Sequence, residues 1–286
     1  MSAPSNPSPV SESHFPSKDG TRLFMTSRPP VGVPKASVLF LHGYADHASR
    51  YGHVLEALAA AGYAAHALDY RGHGRAGGRR GYVGRFGDYL DDVETAIARI
   101  RAASGAPLFI FAHSHGCLVA CTLVLRDPRL PVEGLVLSSP YFRLKLAPGW
   151  FQLFQAKVVG KLIPVLSVKN PLTSDLLTHD AAMRAASDAD TLKHTVVTPR
   201  WFSESNEAQL QLFANARRFV KPLLVMQAGD DAVADPQGAR DFVDSAGSHD
   251  KRLTVYPGMF HEILHEVERE KPVAEAVAWL DAHARG

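Results

Sequence analysis

Short apolar runs alternate with amphipathic stretches along most of this chain. Residues 36–41 (ASVLFL), 63–68 (YAAHAL), 108–111 (LFIF) and 135–137 (LVL) are too short for helices and show little polar alternation. Such runs read as strands buried on both faces. Between them, residues 51–61 and 88–103 space their apolar side chains as helices do. Gly62 suits the C-terminal cap of the first helix. Asp88, Asp91, Asp92 and Glu94 suit the positive N-terminal end of the second. Residues 12–15 and 21–26 predict two further strands, joined by a turn at Ser17, Lys18, Asp19 and Gly20. Strand character returns at 222–227 (PLLVMQ) and 252–256 (RLTVY). Pro236 opens a helix before the last strand, and 271–284 forms a closing helix with Val273, Val277 and Leu280 on one stripe. The order predicts an α/β fold with a mostly parallel central sheet flanked by helices.

Residues 140–219 break this pattern. Apolar residues are dense from Leu144 through Trp150, Phe151, Phe154 and Val158 to Leu166, and Pro148, Pro164, Pro171 and Pro199 punctuate the segment. No strand alternation persists. A compact domain rarely carries about 80 unstructured residues in one connection. The segment is therefore predicted to be an inserted helical cap, or lid, at 140–219. The α/β core is expected at 11–139 and 220–286, after a disordered tail at 1–10 rich in Ser and Pro. The apolar residues of 150–166 either pack the cap itself or line a groove for a lipid-like substrate; the pattern supports both readings.

The central stretch is 108–120, LFIFAHSHGCLVA. A buried strand meets a polar turn and then a buried helix. A serine on such a turn has its hydroxyl exposed beside helix N–H groups that lack partners. Ser114 is thus a candidate nucleophile, and it needs a base within hydrogen-bond reach. His261 follows the last strand at a loop tip beyond Pro257 and Gly258. His265 lies among Glu262, Glu266 and Glu268 and is expected to face solvent. A carboxylate should orient the histidine. Asp230, Asp231 and Asp235 all follow 222–227; Asp235 adjoins Pro236 and suits a helix N-cap, whereas spacing does not separate Asp230 from Asp231. Loops after parallel strands gather along the carboxyl edge of the sheet, so these residues can converge. For the oxyanion, the backbone N–H groups of His115 and Tyr44 are the candidates, with Gly43 allowing close approach. His42 and His113 are expected to be structural hydrogen-bonding residues beside the site.

Composition narrows the field. Lys+Arg number 31 against 29 Asp+Glu, a formal net charge of +2. That balance gives no reason to expect a nucleic-acid partner. Five arginines lie among the glycines of 71–87 (Arg71, Arg75, Arg79, Arg80 and Arg85), and this stretch is expected to be a solvated loop. The two cysteines, Cys117 and Cys121, sit four apart in one helix and suit buried thiols better than a disulfide. The histidines do not form a compact metal-ligand set, and the glycines lack the dinucleotide fingerprint, so neither metal nor cofactor is expected. No run of about 18 apolar residues is present, and the N-terminus has no signal-peptide pattern. A cytoplasmic protein is expected.

Several stretches together resemble the monoacylglycerol lipase and lysophospholipase-type α/β hydrolases of the serine aminopeptidase-like (hydrolase-4) group. They are HGYADHASRY from His42, DYRGHGR from Asp69, His113-Ser114-His115-Gly116, Ser138-Ser139-Pro140, Asp231 to Asp235, and GMFHEILH from Gly258. The resemblance implies an α/β-hydrolase fold and hydrolysis of monoacylglycerols, lysophospholipids or similar carboxylic esters without a cofactor. It assigns the nucleophile to Ser114, the acid to Asp231 and the base to His261, and supports the Tyr44 and His115 amides as oxyanion hole. It also implies a small acyl ester or lipid as partner and loose membrane-surface contact through the cap. Two positions depart from the usual Gly-x-Ser-x-Gly elbow: Ala112 replaces its first glycine, and Cys117 stands where a further glycine often follows. His115 occupies a place where methionine is frequent.

Overall fold

A computed structural model describes residues 10–145, 158, 162–170 and 172–284. Among the described residues there are ten strands: β1 Ser11–Pro16, β2 Arg22–Arg28, β3 Ser37–Leu41, β4 Ala64–Asp69, β5 Leu108–His113, β6 Gly134–Ser138, β7 Val168–Lys169, β8 Val196–Val197, β9 Leu223–Ala228 and β10 Lys251–Tyr256. The main sheet has eight of them in the order β1-β2-β4-β3-β5-β6-β9-β10. β1 and β2 form an antiparallel hairpin, β2 pairs antiparallel with β4, and the other neighbours are parallel.

The strands are covered on both faces. Successive side chains point to opposite sides of a strand. Leu39 and Leu41 of β3, with Leu108 and Ile110 of β5, join one core cluster. Val38, Phe40, Phe109 and Phe111 join the cluster on the other face. Helices α2 Phe86–Ala103 and α3 His115–Arg126 supply Tyr89, Val93, Leu118 and Leu123 to the first cluster. Helices α1 Gly52–Ala60 and α7 Glu270–His283 supply Val54, Leu58, Trp279 and Leu280 to the second. Helix α1 ends where expected, with Gly62 at φ 92° just beyond it.

Between β6 and β9 lies an inserted helical region. Its described part holds α4 Ala181–Ala189, α5 Pro199–Asn215 and the antiparallel pair β7–β8. The two-residue strand pair is a departure from the expectation of no strands, and is too short to leave an alternating pattern. Asp180 caps α4 by accepting from Ala182 N and Met183 N. Thr198 caps α5, with Pro199 at its first position. Helix α5 buries Trp201, Ala208 and Leu212 in the main core. Of the apolar cap residues, Leu146, Trp150, Phe151, Leu153, Phe154 and Val159 lie outside the described residues; Leu162, Ile163, Val165 and Leu166 are exposed.

The arginine-rich loop is not simply solvated. Arg71 is buried, with Nε and Nη2 donating to the two oxygens of Asp92 at 2.8 and 2.7 Å. A guanidinium on a turn can reach back into the fold, and the composition of the stretch hid that. Cys117 and Cys121 are free and buried, as expected. Among the described residues, no helix is long and apolar enough to cross a membrane.

Candidate active site

Strand order creates the site. β3 and β5 are neighbours, and the chain passes from β3 to β4 on one side of the pair but from β5 to β6 on the other. Ligand sites form in open α/β sheets where connections diverge in this way. The loops after β3 and β5 meet there. A Cβ on Gly43 would lie 3.3 Å from both Ser114 Cβ and His113 Cδ2, so the glycine lets the β3 loop close onto the serine.

Ser114 joins β5 to helix α3 at φ 52° and ψ −117°. That conformation is costly for a residue with a Cβ and is kept only where its surroundings enforce it. Ser114 N donates to Ser138 O at 2.9 Å, while Ser114 O accepts from Cys117 N at 3.0 Å and Tyr141 N at 3.1 Å. Gly116 lets α3 approach β3: a Cβ there would sit 2.5 Å from Leu41 O. Ala112 is fully buried within β5, and Cys117 directs its thiol to Ser138 O at 3.6 Å.

The residues proposed from the sequence converge. Ser114 Oγ lies 2.8 Å from His261 Nε2, and His261 Nδ1 lies 2.8 Å from Asp231 Oδ2. All three are buried. Asp231 Oδ1 accepts from Val233 N at 2.9 Å and Ala234 N at 2.8 Å, and Gln227 Nε2 donates to Oδ2 at 3.1 Å. Asp230 is exposed, and Asp235 caps helix α6 Pro236–Ser245. Only Asp231 of the three contacts the histidine.

Electrostatics favour a charged acid and an easily protonated base. Burial raises the Asp231 pKa, but the charge and hydrogen bond of His261 outweigh it and hold it below the usual value. Burial lowers the pKa of His261, yet the charge and hydrogen bond of Asp231 outweigh that and raise it above its usual 6.5. Among the described residues, the N–H groups of Tyr44 and His115 have no acceptor within the chain. His115 N begins α3, where a helix leaves its N–H groups unpaired.

The flanking histidines hold the walls. His42 Nδ1 lies 2.7 Å from Gly43 O, and His113 Nδ1 lies 3.2 Å from Ser138 Oγ. The His115 ring is buried at 5.3 Å from Tyr89 and 5.3 Å from Trp201, with Nε2 3.5 Å from Ser205 Oγ. Burial and the nearby His42 push its pKa down to about 3. The side chain beside the serine is therefore a neutral imidazole reaching the inserted helix α5.

One expectation fails. His265 is buried, not solvent-facing: Nδ1 lies 2.8 Å from Glu262 Oε2 and Nε2 lies 3.2 Å from Arg50 O. Its acidic neighbours looked like a solvated helix face, but Glu262 turns inward to Arg50, whose Nη2 donates to it at 2.9 Å. Arg50 also pairs with Asp46 at 2.9 Å. This network braces the loop behind His261 and was missed in the sequence, as was Gln227. A polar residue closing the apolar run 222–227 was the available signal for Gln227. Among the described residues, no group of three or more His, Cys, Asp or Glu is placed to hold a metal ion.

Comparisons with known proteins point to one family. Residues 32–268 match the family model described as "Serine aminopeptidase, S33" (Hydrolase_4). A monoacylglycerol lipase of Mycolicibacterium smegmatis is 31% identical over 96% of this chain and 98% of its own length. Phospholipase YtpA of Bacillus subtilis is 30% identical over 87% of this chain and 96% of its own. The crystal structure of the Paleococcus ferrophilus monoacylglycerol lipase superposes with a TM-score of 0.83 at 27% identity, covering 91% of this chain and 99% of that one.

Proposed function

The chain belongs to the serine aminopeptidase S33 (Hydrolase_4) family and is a carboxylic ester hydrolase of the α/β-hydrolase fold; from that premise we propose that it cleaves fatty-acid esters, monoacylglycerols first, through an acyl-enzyme on Ser114. The observation that carries this reading is the continuous relay from Asp231 through His261 to Ser114, with both links 2.8 Å long. The names of the Mycolicibacterium and Paleococcus relatives support the choice of ester.

The chemistry follows from the relay. Ser114 Oγ attacks the ester carbonyl while His261 Nε2 takes its proton. Asp231 holds the imidazole by Nδ1 and stabilises the imidazolium. The amides of Tyr44 and His115 receive the oxyanion. His261 then gives its proton to the leaving alcohol. Water, deprotonated by the same nitrogen, attacks the acyl-enzyme and releases the fatty acid. Residues 140–219 act as a lid over the site, and the acyl chain lies beneath it. Its outer face meets the lipid surface from which the substrate comes. A lysophospholipid is the alternative substrate, since the Bacillus relative is named a phospholipase and a phospholipid ester would use the same relay.

The test is a rate series on p-nitrophenyl esters of rising chain length, beside monoacylglycerol and lysophosphatidylcholine, with Ser114→Ala as blank. Rates peaking at medium or long chains and persisting on monoacylglycerol are expected. A preference for lysophosphatidylcholine moves the assignment to lysophospholipase. Activity confined to acetate and butyrate makes the protein a short-chain esterase. Activity that survives in Ser114→Ala overturns the mechanism, and a Ser114 inert to every ester and to a fluorophosphonate leaves a binding protein.

A further inference from the structure

The loop carrying the Tyr44 amide is tied to the inserted region at three points. The Tyr44 hydroxyl donates to Val196 O at 2.8 Å. His194 N donates to Ala45 O at 3.3 Å. His47 Nε2 lies 2.7 Å from Asp190 Oδ2, with both side chains largely shielded. Rings from the same region enclose Tyr44: Trp201 lies at 3.7 Å between centroids and His194 stands edge-on at 5.1 Å. The Tyr44 amide belongs to the core, yet its side chain is held by residues inserted about 150 positions later.

The segment that holds Tyr44 is itself anchored just beyond its end. Thr198 N and Oγ1 both donate to Gly81 O, at 3.0 and 2.7 Å. Gly81, at φ 67°, lies against the same contact: a Cβ there would come within 2.6 Å of Val196 O and 3.2 Å of the Tyr44 hydroxyl. Asn170 N donates to Thr195 O at 2.8 Å, beside the β7–β8 pair. Meanwhile Ala45 holds φ 63°, a left-handed conformation unfavourable for alanine. Such a residue persists where neighbouring contacts over-determine it. Here those contacts flank it on both sides, from Tyr44 and from His47.

We propose that segment 190–197 is a positioning strap for the oxyanion loop: its bonds to Tyr44, Ala45 and His47 hold the strained loop so that the Tyr44 N–H faces the carbonyl attacked by Ser114. The inference rests on the reading of Tyr44 as an oxyanion donor. Oxyanion donors act through placement, and a displacement of about 1 Å can cost on the order of 10²-fold in rate. Tyr44 and Asp190 are therefore positioning residues through their side chains. The substrate meets only the Tyr44 backbone.

Tyr44→Phe removes one oxygen and keeps the ring and the amide. Asp190→Ala removes the partner of His47. Each variant is assayed as the full chain for kcat and KM on the best p-nitrophenyl ester. The Ki of a trifluoromethyl ketone bearing the same acyl chain, and the stoichiometry of fluorophosphonate labelling, are measured alongside. The expected result is a kcat about tenfold lower in each variant with KM within twofold. The ketone Ki should rise by the factor lost from kcat/KM, with labelling still complete. Wild-type kcat in Tyr44→Phe, with Ser114 essential and fully labelled, overturns the strap while leaving the serine mechanism intact. A loss carried by KM with unchanged ketone binding also overturns it. Survival of activity in Ser114→Ala removes the underlying reading instead. Should Asp190→Ala not fold, Tyr44→Phe decides alone.

Discussion

Asp231 differs from its neighbours in what its two oxygens touch. Oδ1 is saturated by two backbone N–H groups, which fixes the carboxylate plane, and Oδ2 is left to His261 and Gln227. Asp231→Asn keeps the shape and removes the charge that fixes the histidine tautomer. Its kcat is expected to fall about 10^4-fold, by analogy with the equivalent change in a serine protease; a loss under about tenfold would remove Asp231 from the relay. The same pair sets the pH dependence. The proposed mechanism needs neutral His261, and its pKa is raised above 6.5, with burial opposing and Asp231 winning. Activity should therefore be absent well below that raised pKa and appear as pH rises through it, so the acid limb of kcat/KM lies above pH 6.5. Removing the Asp231 charge leaves only the smaller pull of Glu262 against burial and moves the limb to lower pH. A limb unmoved in Asp231→Asn, in a kcat/KM profile of the residual activity, would contradict this account. The candidate serine and histidine, which the structure brings within 2.8 Å, were legible from residue type and position in the chain, because both sit on turns that end apolar runs. Choosing among three aspartates needed the family resemblance, since adjacent residues on a turn differ in direction and not in spacing.

The strand, elbow and helix from Leu108 to Arg126 act as one element. The apolar run on either side of Ser114 made it legible, since hydrophobic periodicity changes from strand to helix across two residues. What the pattern did not give is how closely α3 approaches β3. Ala112 at the first elbow position is accommodated, whereas Gly116 has no room: a Cβ would meet Leu41 O at 2.5 Å and His42 O at 2.7 Å, both backbone atoms. Gly116→Ala must push α3 away from the sheet or displace the loop that carries Tyr44. The expected outcome is a loss of stability of about 1–3 kcal/mol by denaturant unfolding, together with slowed fluorophosphonate labelling of Ser114. Wild-type stability and labelling would mean that α3 and β3 yield more easily than close packing allows. His265 shows the opposite failure of legibility. Its acidic neighbours read as a solvated face, because a sequence does not reveal that Arg50, more than 200 residues away, turns Glu262 inward onto His265.

At the scale of the molecule, three separate parts of the chain are fastened by one guanidinium. Arg71 follows β4, Asp92 lies in the middle of α2, and Ser17 and Asp19 form the turn of the β1–β2 hairpin. Arg71 donates to Asp92 through Nε and Nη2 and from its backbone N, and to Asp19 through Nη1 at 2.7 Å. The fold class and the succession of strands and helices along the chain were readable because each apolar run reports its own burial. This tie was not, because ion pairs between distant segments leave no periodic trace, and the arginines among glycines resembled a solvated loop. The inserted region was legible as an insertion by its length and loss of pattern, while its grip on the Tyr44 loop depends on main-chain carbonyls that any residue could supply. The two carboxylates on Arg71 should differ in consequence. Asp92 is fully buried, and its side chain is 0% exposed against 52% for Asp19. Asp92→Ala leaves a shielded guanidinium without its main partner, a situation that costs about 3–5 kcal/mol. Asp19→Ala breaks an exposed pair that water replaces, at a cost of about 0–1 kcal/mol. Urea unfolding of the two variants measures the difference directly. Equal losses would mean that Arg71 is solvated on release from Asp92, so that the loop after β4 rather than the ion pair holds the hairpin to α2. A large loss confined to Asp92→Ala would identify Arg71 as the residue through which the antiparallel edge of the sheet is joined to the parallel core that carries the serine.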